Sequence, residues 1–378
     1  MTGFTRNRTQ ETRPSSREGL IYCVFTVSLR TALVSVLAIA LFAWFLSNAN
    51  LGEVWAHVQA ARVGYLALAL VFLPATFWVR AIRWQHMLRP IGPTRFRTVF
   101  RATVIGFAAL AALPARAGDL LRPYLVARQE GLSAPATFAT IVMERVLDLI
   151  AVLILLAVFV WGFASEAMIP AHLLEPLKIS AALAGLGSAV LMGVMWTLAS
   201  HPERIGSLVF VAARVLPNRA AHGLASLVST FSRGFVMARQ PRELAIAMLW
   251  SFPLWVIYAA EAYLVSRAFD ISLPFMGSFL LQALLVIGVA VPTPGGVGSV
   301  HEAYRIGATM FFGASDEAAV AAAIVLHAIG ILPVILVGGI FMAQDGLSVS
   351  RLKTLAGTAR EEELPDTDEV PVLRSSRR

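Results

Sequence analysis

The chain has 378 residues, of which 57% are hydrophobic and only 14% are charged. Soluble domains carry about 25% charged residues, so this composition excludes a soluble globular fold and indicates an integral membrane protein. The net charge of +8 comes almost entirely from arginine, and loops that set membrane topology explain it better than nucleic acid binding does. The single cysteine, Cys23, excludes an intrachain disulfide and a cysteine metal site, and we expect no metal and no cofactor.

Apolar segments long enough to cross about 30 Å of hydrocarbon as α-helices occur six times. They lie at residues 29–47, 62–80, 138–162, 177–199, 243–266 and 317–341. Because no ten-residue alternating strands occur, the predicted fold class is an all-α integral membrane protein. The tracts 1–20 and 346–378 are predicted to be disordered and cytoplasmic, with a transmembrane domain at 21–345 between them.

Two shorter apolar segments, residues 99–113 and 275–291, end in sequence rich in proline and glycine. We interpret them as re-entrant half-helix hairpins at about 99–130 and 275–312. Six crossings then place every arginine-rich loop on the same side as both termini, as the positive-inside rule expects for the cytoplasm. A full crossing at 99–113 would instead place the six arginines of residues 200–242 outside. We therefore predict a multi-pass protein of the cell inner (plasma) membrane.

The two hairpins show a weak internal repeat. Shifted by 180 residues, AALPARAGDLLRPY matches VPTPGGVGSVHEAYR, with Pro114 on Pro294 and Gly118 on Gly298. The matches are few, and chance is the alternative explanation. Since three full helices lie between the motifs, the hairpins would enter from opposite faces, which is the inverted-repeat arrangement of transporters.

The two helix breaks predict an anion site. One helix is expected to start near Gly118 or Asp119, and another near Ser299. The residues that break the second segment are Pro294, Gly295, Gly296 and Gly298. The first N–H groups of a helix lack partners and carry positive dipole charge, so two such ends facing one cavity would bind phosphate. Arg116 is the leading phosphate ligand, because a planar guanidinium can bind two phosphate oxygens.

Charged residues inside the predicted span 138–162 need partners or water. Glu144, Arg145 and Asp148 lie within one turn of each other and share a helical face. Each charge at the membrane centre costs about 3 kcal/mol. These residues either line a functional cavity, which we favour, or lock helices together through a pair between Arg145 and Asp148.

Further charges follow the two breaks. Asp119 either belongs to the site or caps the helix, and Arg122 is either a ligand or a cytoplasmic anchor. Glu302 either contributes to the site or pairs with Arg305 three residues later. The predicted site is neutral, with four arginines and four acids: Arg116, Arg122, Arg145, Arg305, Asp119, Glu144, Asp148 and Glu302.

Other polar side chains are assigned to the membrane interfaces. Arg80 and Arg83 are interpreted as topology anchors at the cytoplasmic interface, with Trp84 as a belt aromatic. A role in attracting anionic lipid headgroups is compatible with this position. Near the outer end of its helix, Glu261 is expected to pair with Arg267.

At these motifs the sequence resembles the lysylphosphatidylglycerol synthase transmembrane, or flippase-like, family. The resemblance covers about residues 20–345 and rests on ALPARAGDLLRPYLVARQEGLSAPATFATIVMERVLDLIAVL, VPTPGGVGSVHEAYRIGATMFFGAS and RAIRWQHML. It implies a stand-alone lipid-flipping domain, since no segment resembles the synthase domain of two-domain members. Asp119 stands where the family more usually has glutamate, which keeps the carboxylate but shortens its reach.

The predicted function is a flippase or transporter, not an enzyme, that moves a phospholipid or a polyprenyl-phosphate-linked lipid between leaflets. Its expected partners are that lipid and the membrane, with no nucleic acid. One alternative is a membrane enzyme acting on a lipid phosphate, with Asp119, Glu144 and Asp148 as acid and base groups. The other is a non-catalytic partner that holds envelope enzymes together. The sequence leaves the oligomeric state open.

Overall fold

The computed structural model describes residues 33–47, 49–112, 117–164, 169, 171–200, 240–291 and 293–346. Within these ranges it contains eleven α-helices and no β-strand, which confirms the all-α class for this part of the chain. The helices are α1 (Leu33–Ser47), α2 (Leu51–Ala60), α3 (Val63–Leu88), α4 (Phe96–Ala112), α5 (Ala117–Glu130), α6 (Ala134–Gly162), α7 (Ala171–Ser200), α8 (Pro241–Ala268), α9 (Gly277–Ala290), α10 (Ser299–Ile306) and α11 (Asp316–Gln344).

Each of the six predicted crossings corresponds to a helix, namely α1, α3, α6, α7, α8 and α11. Among the described residues, α3, α8, α11 and the His172–Gly193 part of α7 are long and apolar enough to cross a membrane. α1 and α2 meet at a bend of 84° and add a fifth span if they cross together. α6 has 29 residues, but its apolar sequence is interrupted by three charges. The number of crossings and the sidedness of the termini stay predictions.

The first short segment forms an antiparallel helix pair, α4 and α5. A Cβ atom added to Gly118 on α5 would overlap the carbonyl oxygen of Gly106 on α4 and lie 2.5 Å from the backbone nitrogen of Leu110. One added to Gly106 would lie 2.7 Å from Cβ of Arg122. The two glycines therefore let the helix backbones touch, as small residues do in membrane bundles. At 17 and 14 residues, both helices are shorter than the roughly 20 residues of a full crossing.

The second short segment forms a similar pair, α9 and α10, around a one-turn 3₁₀ helix at Pro294–Gly296. A Cβ atom on Gly288 of α9 would lie 2.8 Å from the carbonyl oxygen of Ser299 on α10. The tips of the two pairs meet, because a Cβ atom on Gly295 would lie 3.4 Å from the carbonyl oxygen of Ala111 at the end of α4. This contact supports the predicted pairing of the breaks, while their depth in a membrane stays a prediction.

The packing is typical of a membrane bundle. α11 lies tightly on α4, where a Cβ atom on Gly338 would overlap Cβ of Ala108. Large apolar side chains point outward from several helices, including Trp78, Val158 and Leu336, which are 57%, 44% and 68% exposed. A soluble surface would expose fewer such contiguous groups.

Some predicted features lie outside the described residues. They are Pro114, Arg116, most of the loop 200–242, the tract 1–20 and nearly all of the tract 346–378. The proposed roles of Pro114 in the break and of Arg116 as a phosphate ligand, and the disorder of the two tracts, therefore stay predictions.

Candidate functional site

Side chains of α3, α5 and α6 meet in a buried group of charges. α6 presents Glu144 and Asp148 on one face, and α3 presents Arg80 and Arg83, one helical turn apart. α5 adds Arg122, and none of these five residues is more than 5% exposed. We call the following seven residues the central charge cluster: Arg80, Arg83, Asp119, Arg122, Glu144, Arg145 and Asp148.

Glu144 is the centre of the cluster. Its carboxylate accepts a hydrogen bond from Nη1 of Arg80 at 2.7 Å and from Nη1 of Arg122 at 3.1 Å. Nη2 of Arg83 lies 3.3 Å from the same carboxylate. Three guanidinium groups from two other helices therefore surround one fully buried acid, and removing that acid would leave three cations close together.

Asp148 connects the cluster to α8. Nη1 of Arg83 donates to its carboxylate at 2.6 Å, and the indole Nε1 of Trp255 donates at 3.0 Å. The same Nη1 of Arg83 donates to the hydroxyl of Ser251 at 2.9 Å. The four helices α3, α5, α6 and α8 are thus joined by charge-assisted hydrogen bonds, which are roughly twice as strong as neutral ones.

Arg145 lies at the accessible edge of the cluster. Its Nη2 donates to Asp119 at 2.9 Å, and its Nη1 lies 3.6 Å from Asp148. The side chain of Arg145 is 42% exposed and that of Asp119 is 24% exposed. The predicted pair between Arg145 and Asp148 is therefore present, but the shorter contact ties α6 to the first turn of α5.

The charge balance differs from the neutral site that the sequence predicts. Among the described residues, four arginines face three carboxylates in the central charge cluster, which leaves one excess positive charge in this part of the chain. Glu302 and Arg305, which the sequence predicts to belong to this site, pair with each other at 3.3 Å instead. Arg305 also donates to Asp316 at 2.7 Å. Among the described residues these three charges share no ion pair with the cluster, so Glu302 follows the alternative of a local pair.

The interfacial interpretation of Arg80, Arg83 and Trp84 is wrong. Arg80 is 3% exposed, and Arg83 and Trp84 are completely buried, because their partners lie on α6 inside the bundle. Nε1 of Trp84 donates to the hydroxyl of Thr140 at 2.9 Å, and the guanidinium of Arg122 lies 3.8 Å from a Trp84 ring centroid. This cation–π contact and its 2% exposure also contradict the reading of Arg122 as a cytoplasmic anchor.

Five buried guanidinium nitrogens of the cluster have no hydrogen-bond partner among the described residues, and neither do two carboxylate oxygens, Oε2 of Glu144 and Oδ2 of Asp148. Two of the five, Nη2 of Arg83 and Nη2 of Arg122, still lie within ion-pair distance of Glu144, at 3.3 and 3.1 Å. The other three are the Nε–H groups of Arg80, Arg83 and Arg122. An unpaired buried donor costs about 1–3 kcal/mol, and more when it is charged. With one excess positive charge beside them, these donors favour an anion that offers several acceptor oxygens, as phosphate does.

A cavity of about 200 Å³ lies beside the cluster, where the two hairpin tips meet. Phe107 and Tyr258 line it and separate it from Arg80, whose guanidinium lies 4.7 Å from the Phe107 ring centroid and donates to the Tyr258 hydroxyl at 3.1 Å. Much of the remaining lining is apolar: Leu73, Phe77, Leu110, Val289, Ile331 and Val334. Apolar space next to buried cations suits an amphipathic ligand.

The glycines of the second break have two different roles: some line the cavity, and one packs against a neighbouring helix. Gly295 and Gly296 line the cavity with positive φ angles of 60° and 74°, which a residue with a side chain rarely adopts. Gly298 instead packs against α1, since a Cβ atom there would lie 2.9 Å from the backbone nitrogen of Phe42. The N–H group of Gly298 donates to Nδ1 of His301 at 3.3 Å. The start of α10 is therefore partly capped by its own sequence.

Sequence reasoning missed the contribution of α8. Ser251, Trp255 and Tyr258 lie on one side of that helix, three and four residues apart, and bond Arg83, Asp148 and Arg80 respectively. A polar stripe at helical spacing in a predicted span is a signal that could have identified them. The two arginines on α3, three residues apart, and the two acids on α6, four residues apart, are a second such signal, because each pair lies on one helical face.

The profile of the protein family described as lysylphosphatidylglycerol synthase TM region matches residues 30–338. The chain is 27% identical over 364 residues to glycosyltransferase AglD of Haloferax volcanii, which covers 89% of this chain and 57% of AglD. It therefore spans little more than half the length of that relative.

Two further relatives are similar over nearly their whole length. A UPF0104 membrane protein of Methanothermobacter thermautotrophicus is 24% identical over 84% of this chain and 96% of its own. A UPF0104 membrane protein of Pyrococcus horikoshii is 22% identical over 76% of this chain and 89% of its own. These matches agree with a membrane-embedded, multi-pass protein.

Proposed function

Because the chain belongs to the lysylphosphatidylglycerol synthase TM region family, we propose that it is a flippase that moves an anionic, phosphate-bearing lipid between membrane leaflets. The observation that carries the proposal is the central charge cluster. Its described residues hold one excess positive charge, and the Nε–H groups of Arg80, Arg83 and Arg122 are buried there without acceptors. A site of this kind inside a membrane bundle marks the path of a charged substrate by default.

The geometry supports binding of the lipid headgroup in the central charge cluster and of its apolar chain toward the neighbouring cavity. The phosphate enters past Arg145, which is partly exposed, and accepts hydrogen bonds from Arg80, Arg83 and Arg122. The apolar chain lies toward the cavity behind Phe107. Glu144 already binds the same three arginines, so it competes with the phosphate and allows its release. A phospholipid and a polyprenyl phosphate share this chemistry.

A glycosyltransferase or another enzyme acting on a lipid phosphate is the second candidate. It is favoured by the name of the relative AglD, although this chain spans only 57% of that protein. Product turnover by the purified protein in detergent, with no bilayer present, would favour the enzyme. Movement of lipid across a bilayer without any chemical change would favour the flippase.

The test uses liposomes that contain the full-length protein and a fluorescent phosphatidylglycerol that can be quenched from outside. Arg122→Lys keeps the charge but loses the planar fork and the stacking on Trp84. We expect lipid movement to slow about tenfold, because a charge-assisted hydrogen bond is worth roughly 1.5–3 kcal/mol. Arg128→Lys, at an exposed position on the same helix, is the matched control and should move lipid at the wild-type rate. Equal rates for all three proteins would refute the assigned site.

A further inference from the structure

Glu261 on α8 differs from the other buried acids described. It is 4% exposed, and its one hydrogen-bond partner among the described residues is the hydroxyl of Thr76 on α3, at 3.2 Å. The pair with Arg267 that the sequence predicts is not formed. That hydroxyl also lies 3.2 Å from the backbone oxygen of Phe72, and its one proton cannot serve both acceptors. It supplies no positive charge, so this carboxyl group has no counter-ion in the described part of the chain.

A carboxylate in this position is unstable as an ion. Burying an unpaired charge at low dielectric costs far more than burying a neutral acid, and a carboxyl group removes its charge by binding a proton. Glu144 is in the opposite situation, because Arg80, Arg83 and Arg122 stabilise its ionised form. Protonating Glu144 would break three ion pairs, whereas protonating Glu261 breaks none.

Glu261 also lies close to the proposed phosphate site along both helices. It follows Tyr258 by three residues on α8, and Thr76 precedes Arg80 by four residues on α3, so each pair is one helical turn apart. Tyr258 and Arg80 are hydrogen-bonded to each other at the boundary between the cavity and the cluster. A change of charge at Glu261 therefore acts on the groups that bind the lipid.

The other charged and titratable groups on the described helices around α8 supply no ionic partner for Glu261. α3, α6, α9 and α11 pack against α8. The buried or partly buried titratable groups on these helices are Tyr65, Arg80, Arg83, His86, Glu144, Asp148, Asp316, Glu317 and His327, and α9 has none. None of them forms an ion pair or a hydrogen bond with Glu261 in the described structure; His86, for example, bonds Glu243 on α8 instead.

Resting on the proposed function, we propose that Glu261 is the proton-binding site that couples lipid movement to a proton gradient. When Glu261 is ionised, its negative charge offsets the excess positive charge of the central charge cluster and weakens its attraction for phosphate. When Glu261 binds a proton, the excess is restored and the phosphate binds more tightly. The two affinities are linked reciprocally, so the proton and the phosphate-bearing lipid occupy the protein together.

The first experiment measures this coupling in liposomes with quenchable fluorescent phosphatidylglycerol and a pH difference of one unit. One coupled proton shifts the steady-state ratio of lipid between leaflets by about tenfold, since one pH unit corresponds to a factor of ten. Wild type and Glu53→Gln, a control at an exposed acid on α2, should show this shift. Glu261→Gln should show a ratio that the gradient does not change. The proposal is overturned if the lipid ratio of the wild-type protein does not change with the pH gradient, or if that of Glu261→Gln still does.

The second experiment tests proton binding without any labelled lipid. Infrared difference spectra between acidic and alkaline pH should show the C=O stretch of a protonated carboxyl group in wild type. Thr76→Val should shift that band, because it removes the hydroxyl that contacts Glu261, and Glu261→Gln should lack it. A band that persists unchanged in Glu261→Gln overturns the proton site. Failure of wild type to move lipid at all would refute the proposed function, while the infrared result still decides the proton site.

Discussion

In the first hairpin, α5 sends Arg122 into the central charge cluster and holds Asp119 at its accessible edge. In the second hairpin, the charges of α10 pair locally with each other and with α11, and glycine backbone faces the cavity. Both hairpins are therefore antiparallel helix pairs, and they meet at their tips. The first contributes charged side chains to the cluster, whereas the second contributes glycine backbone to the wall of the cavity. Two helix pairs with the same antiparallel arrangement can therefore contribute different chemistry to one site.

The largest expected loss of stability is at Glu144, the buried acid that Arg122 of the first hairpin contacts. Glu144→Gln leaves three arginines around a neutral amide, and breaking a buried ion pair in this way costs about 3–5 kcal/mol. Thermal unfolding in detergent should show the loss. Glu175→Gln, at an acid that is 69% exposed, should change stability little. An equal loss at both positions would contradict the central role of Glu144.

The second-largest expected effect is the loss of stability when a methyl group is added at the glycine contacts within each hairpin. Gly118→Ala forces a methyl group onto the backbone oxygen of Gly106, which cannot move aside, whereas the corresponding contact at Gly288 is 2.8 Å. Overpacking costs about 1–3 kcal/mol, so we expect Gly118→Ala to destabilise more than Gly288→Ala in the same unfolding measurement. Gly185→Ala, on α7 with no atom within 4 Å of the new methyl, is the control. The reverse order for the two hairpins would contradict the tighter packing of the first.

A smaller effect is expected at glycines with positive φ angles, where two alanine variants distinguish the cost of backbone strain from the cost of narrowing the cavity. Gly295 and Gly131 both have positive φ angles, 60° and 69°, so alanine at either position should cost roughly 1–2 kcal/mol. Only Gly295 lines the cavity. We expect both variants to lose similar stability, but Gly295→Ala alone to slow lipid movement. Equal slowing in the two variants would mean that the cavity is not on the lipid path.

The smallest effect is expected at the charges of the second hairpin. Glu302→Gln removes a pair whose side chains are 14% and 17% exposed, but Arg305 keeps its hydrogen bond to Asp316 at 2.7 Å. We therefore expect a loss of stability of about 1 kcal/mol. Lipid movement by this variant should match wild type. A large loss of transport would place Glu302 in the site after all and remove the difference between the hairpins.

The sequence predicted the helices well where hydrophobicity decided them. It failed at the end of α3, a boundary that matters because two arginines of the site lie there. The predicted second span ends at residue 80, because Arg80 and Arg83 end its apolar run. The structure continues α3 to Leu88, since both arginines face acids on α6. Read alone, those arginines resemble interfacial anchors. Their partners lie 64 and 65 residues away in the chain, beyond the reach of any local pattern.

The sequence by itself determined that the chain forms a helical membrane bundle, that the second short segment breaks at proline and glycine, and that Glu144 and Asp148 need partners. Hydrophobic length, helix-breaking residues and the cost of burying charge are local properties, so they can be read from the residues directly. Only the tertiary structure decided which arginines meet those acids, that the cluster carries excess positive charge, and that Glu261 has no counter-ion. Those facts depend on which helix faces pack together, because the energy of a buried charge is set by its neighbours in space.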